Sequence, residues 1–128
     1  MRESLENARQ ALLLLHRAVL EAERVAYERA FGRIQSNGVL LQLLLNDPWF
    51  AWLRPISGLI VQIDEWLEEK EPGAGAPELG ESMLAKAREN LRPSEEGTEI
   101  QRRLARLLQE DPAVVMAHAA ARKLVAAE

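Results

Sequence analysis

The chain has 128 residues, sixteen lysines and arginines against twenty acids for a net charge of −4, and no cysteine. One domain of that length buries roughly two-thirds of the surface its unfolded chain exposes, enough for a core without staples. The acidic balance excludes a general nucleic-acid binder, which needs a concentrated basic surface. The absence of cysteine excludes disulfides, thiol nucleophiles and cysteine-ligated metals, and fits a cytoplasmic protein.

The opening MRESLENARQ is polar, and His16 and Arg17 break the leucine run that precedes them. Neither a signal peptide nor a membrane span is expected there. A first helix of about thirty residues is predicted from an N-cap at Ser4 to a left-handed stop at Asn37-Gly38. Leu5, Ala8, Leu12, Leu15, Val19, Ala22 and Ala26 form one stripe along it; Leu13, Leu20, Tyr27 and Ile34 form a second beside the first. A face that wide calls for two or more neighbouring helices, and its apolar surplus suggests a homodimer.

Val39 to Leu45 reads as a short leucine-rich helix. Asp47-Pro48 then supplies a cap and a first-turn proline, and Pro55 divides the next segment into a short piece, Pro48 to Leu53, and a main helix from Ile56 to Glu69. On the main helix Ile56, Leu59, Ile60, Ile63 and Leu67 share one face. Residues 71–77 read as a flexible linker inside a single helical domain, and two glycines there do not make a phosphate loop without a preceding strand and a Lys-Ser/Thr pair. A helix from Glu78 to Leu91, one capped by Thr98, and a last one from Ala113 to about Ala127 after Asp111-Pro112 complete the chain. The predicted fold is all-α, an up-and-down bundle of about four principal helices broken into about six pieces by prolines. The two Asp-Pro junctions carry leucines at matching offsets, which either an internal repeat or two uses of one helix-start device explains.

Candidate chemistry is sparse. His16 and His118 both fall on inward faces, where they are either hydrogen-bonded core residues or a pair able to exchange protons or bind a metal. The Glu-x-x-His spacing of a diiron bundle is absent: Leu13 and Val115 stand three residues before them. Asp64 flanks the core face, either as a boundary residue paired with Arg9 or Arg17, or as a buried acid working with a histidine. Trp49, Phe50 and Trp52 cluster between two prolines, as a plug for the bundle's end or as an anchor for a partner or ligand. Arg102, Arg103 and Arg106 read as a solvated basic face rather than a nucleic-acid surface.

The function these residues point to is a non-catalytic, cytoplasmic bundle that self-associates, as a homodimer, or binds a protein partner. It carries no membrane segment, and no cofactor or metal is called for. The alternatives are a small-molecule-binding bundle with its pocket near His16, His118 and the Trp49/Trp52 corner, and an enzyme using Asp64 and a histidine as acid and base.

Overall fold

A computed structural model describes residues 1–68 and 76–126. Among them lie six α-helices and no strand: α1 (Arg2–Phe31), α2 (Asn37–Asn46), α3 (Arg54–Leu67), α4 (Pro77–Asn90), α5 (Glu99–Glu110) and α6 (Pro112–Ala126), with a 3₁₀ turn, Pro48–Leu53, between α2 and α3. The protein is an all-α helical bundle. Most of the predicted linker, residues 71–75, lies outside the described residues, as does Glu69, the expected end of the main helix. Pro77, assigned to that linker, instead opens α4, a position where a missing N–H costs nothing and the fixed φ is already helical.

Three of the boundaries arise from local chemistry. Asp47 accepts a hydrogen bond from the Trp49 N–H (2.9 Å), and Asp111 repeats the device with Ala113 (2.9 Å) and Val114 (3.3 Å). Thr98 and Gln101 form a reciprocal capping box at α5, and the Gln101 side chain also donates to the Glu89 carbonyl, tying α5 to the end of α4. A β-carbon at Gly97 would lie 1.9 Å from Gln101 Oε1, so a larger residue there would have to displace the Gln101 side chain from the box.

The end of α1 departs from expectation. The helix stops at Phe31, and the residue with positive φ is Gly32 (φ 100°), not Gly38. Both glycines are competent terminators. The next few residues make the choice: the Glu28 carboxylate accepts the Ile34 N–H and Ser36 caps Val39, so the chain is already committed to a new helix, with Gly38 inside it.

The core centres on α1. Its longest seam is with α6, and α3 and α4 cover the remaining flank, so the apolar surplus expected to drive dimerisation from α1 is largely used within the chain. Ala8, Ala11 and Ala121 are completely buried, which is how α1 lies close against its neighbours without leaving voids. Leu5, Leu12, Leu15 and Val19 complete the face.

Candidate functional site

The 3₁₀ turn is where the bundle's aromatic weight sits. Phe50 is fully buried and Trp52 nearly so, and Trp49 is half-buried. Tyr27 reaches across from α1, its ring 5.6 Å from Phe50 and 5.9 Å from Trp49; Phe31 stands 5.7 Å from Trp49, edge to face. The corner thus plugs the bundle's end, as one of the two sequence readings holds.

Two features flank this plug. On one side α2 lies against it. Leu40, Leu43 and Leu44 turn toward the corner and are half-buried, while Leu41 and Leu45, four residues apart on one flank, are 53% and 58% exposed. Val39 is exposed on the opposite flank, and Gly38, Gln42 and Asn46 form the polar back, where Asn46 donates to Gln42 (3.2 Å). No residue of α2 is buried. Its carboxyl end is fastened: the Arg54 guanidinium donates to the carbonyls of Leu44 and Asp47, both at 2.9 Å, and a cation there also meets the negative end of the helix dipole.

On the other side, between α1, α5 and the start of α6, lies a cleft of about 540 Å³ with Glu23 in its wall. Glu23 is only 8% exposed. Burial pushes its carboxyl above the ordinary glutamate range, against the opposing pull of Arg103, the Trp49 and Trp52 indole N–H groups, and Arg106. Both indole nitrogens are buried and close enough to favour the ionised acid, yet neither closes a hydrogen bond of ordinary geometry. The Arg103 guanidinium sits 5.8 Å from the centre of the Trp52 ring. Arg103 and Arg106 therefore line a cleft, with Arg106 exposed as expected of a solvated face and Arg103 half-buried.

Glu23 has no place among the sequence candidates, although a signal existed. It stands eighteen residues after Leu5, which at 3.6 residues per turn is five full turns and the same angular position on α1. An acid on the most buried line of a helix needs partners, and these come from segments far along the chain.

The raised pKa of Glu23 ties stability to pH. The folded protein holds the Glu23 proton more tightly than the unfolded chain, whose value lies near 4.5. The associated stability is present below that value and lost as pH rises through the folded one. Glu23→Gln, neutral at every pH, should melt above the wild type at neutral and alkaline pH and together with it in acid. Equal offsets in thermal melts at all pH values would show that the charge is not the cause.

The remaining candidates separate. His16 Nε2 is 2.9 Å from Ser57 Oγ, and burial lowers its ring pKa. Ser57 also reaches back to the Leu53 carbonyl at 3.4 Å, and among the described residues no carboxylate is bonded to the His16 ring, so the pair lacks the orienting acid of a nucleophilic triad. His118, buried on α6, is 2.7 Å from the Leu91 carbonyl at the end of α4. The two rings thus bond to different elements. Asp64 pairs with Arg9 at 3.0 Å, with both side chains substantially exposed, a contact worth little. Neither histidine nor Asp64 lines the Glu23 cleft; of the residues named from the sequence, Trp49, Arg103 and Arg106 do. Among the described residues no three histidines, aspartates or glutamates converge as metal ligands, and no helix is long and apolar enough to cross a membrane. Comparison with models of known protein families, with curated proteins and with solved structures finds no match to this chain.

Proposed function

We propose that this chain is a non-catalytic helical module that pairs with a second copy of itself through the Leu41/Leu45 flank of α2. The observation that carries the reading is that α2, NGVLLQLLLN, holds six apolar residues in ten, of which Val39, Leu41 and Leu45 are exposed. A surface of that kind asks to be covered. It also contains no charged residue. In a twofold contact each patch meets its own copy, so any charge on it would face a like charge; an uncharged leucine flank on a chain of net charge −4 pairs with itself without that repulsion.

The expected strength is modest. Covering the exposed half of each leucine contributes on the order of 1 kcal/mol, four such groups meet in a pair, and association itself costs several kcal/mol. A gross gain of about 4 kcal/mol matches a millimolar constant before that cost is met, so a weak, reversible dimer in the millimolar range is the most this patch supports. The cysteine-free composition fits a cytoplasmic setting for it.

Light scattering on the wild type should show the mass rising from one chain toward two as concentration increases. Leu41→Glu/Leu45→Glu should stay at one chain with an unchanged helical circular dichroism spectrum, because both side chains already face solvent. A wild-type mass that stays at one chain up to millimolar concentration, or a double variant that still dimerises, overturns the reading.

A further inference from the structure

We propose that the Glu23 cleft binds a small organic monocarboxylate with an apolar body, its carboxylate held by the Arg103 and Arg106 guanidiniums. This does not rest on the pairing of α2.

The donors decide the class of ligand. Three guanidiniums, Arg29 from α1 and Arg103 and Arg106 from α5, line one cleft, and their planar forks suit carboxylate geometry. The Trp49 and Trp52 N–H groups are buried, close no hydrogen bond of ordinary geometry and act on the Glu23 carboxyl, which is their acceptor. The donors a ligand meets are therefore the guanidiniums, of which Arg103 also reaches Glu99 at 3.4 Å.

The acids fix the charge and the body of that ligand. Of the four in the lining, Glu21 is held by Arg24 and Asp111 is engaged in capping α6, which leaves Glu23 and Glu110. A phosphate dianion brings twice the charge of a carboxylate against Glu23 and Glu110, so a monoanion is repelled less, and burial already favours the neutral form of Glu23. Neutral Glu23 donates its O–H to the ligand carboxylate, while its carbonyl oxygen accepts from the indole N–H groups. Trp49, Val25 and Leu107 supply the apolar wall. A cleft of about 540 Å³ has room for a ring and a short chain.

Wherever Glu23 is ionised in the free protein, binding takes up one proton from solvent. The charged groups facing it are Arg103 and Arg106 from α5; the cleft's remaining charges are Glu21 and Arg29 on α1, Glu110 at the end of α5 and Asp111 before α6. Above the ligand carboxylate's own titration, the pH dependence belongs to Glu23.

The test uses the full chain carrying Trp66→Phe, so that Trp49 and Trp52 alone report, titrated with 4-phenylbutyrate and followed by fluorescence and calorimetry. Saturable binding is expected, weakening about tenfold per pH unit above the Glu23 pKa. Arg106→Gln, a change at an exposed residue, should weaken it at least tenfold. Glu23→Gln should bind with a profile that is flat above the ligand's own titration. Phenyl phosphate and 4-phenylbutylamine should bind at least tenfold more weakly. The proposal is overturned if no probe saturates, if the amine or the phosphate ester is preferred, or if binding of 4-phenylbutyrate is indifferent to both substitutions.

Discussion

Phe50→Ala is expected to remove about 3–5 kcal/mol of folding stability, measured by urea denaturation. Phe50 has no exposed surface, and its ring lies against Tyr27 with the flanking corner residues Trp52 and Leu53 also buried. Truncation leaves a void whose walls belong to α1 and to a short 3₁₀ turn held at both ends, so the site has little freedom to collapse. A domain of this size is stabilised by about 5–15 kcal/mol in all, so the variant should sit near the edge of cooperative folding. A loss below about 1 kcal/mol would show that the corner is an appended loop rather than part of the core.

The opposite error of packing should be felt on α1. Ala11→Leu adds three carbons where a completely buried alanine keeps α1 close to its neighbours. Forcing the helices apart or the side chain off its rotamer should cost about 1–3 kcal/mol despite the added apolar area. The same substitution at Ala85, exposed on α4, should be nearly neutral or slightly stabilising. If the two variants unfold at the same urea concentration, α1 is not packed as closely as its buried alanines imply.

What was legible in the sequence was local. The proline after Asp47 or Asp111, the break at Pro55 and the Thr98 cap depend on residues within four positions of one another, and each is found where it was expected apart from shifts of one or two residues at the boundaries. The end of α1 was not, because Gly32 and Gly38 are equivalent to a local reading and the choice depends on Glu28 reaching Ile34 and on Ser36 starting a new helix. At α2 composition does not say which leucines are covered, and only the docked arrangement shows that one flank has nothing against it.

The candidate site was legible only in its aromatic half. Three aromatics between two prolines mark the corner, but Glu23 lies twenty-six residues before Trp49, and Arg103 eighty residues after Glu23. Helical periodicity says which line of a helix is buried; it does not say which helix lies opposite. The same limit left His16 and His118 as a conceivable pair, where the fold gives one to Ser57 and the other to the Leu91 carbonyl.

The cysteine-free chain makes the self-pairing of α2 open to a crosslinking test. Leu45→Cys places a single thiol on the flank proposed to meet its own copy, and Val61→Cys places one on α3 at similar exposure. Under mild oxidation the Leu45→Cys protein should form a disulfide-linked dimer at concentrations where the Val61→Cys protein remains monomeric. Equal rates of crosslinking for the two, or no dimer through position 45, would contradict the pairing.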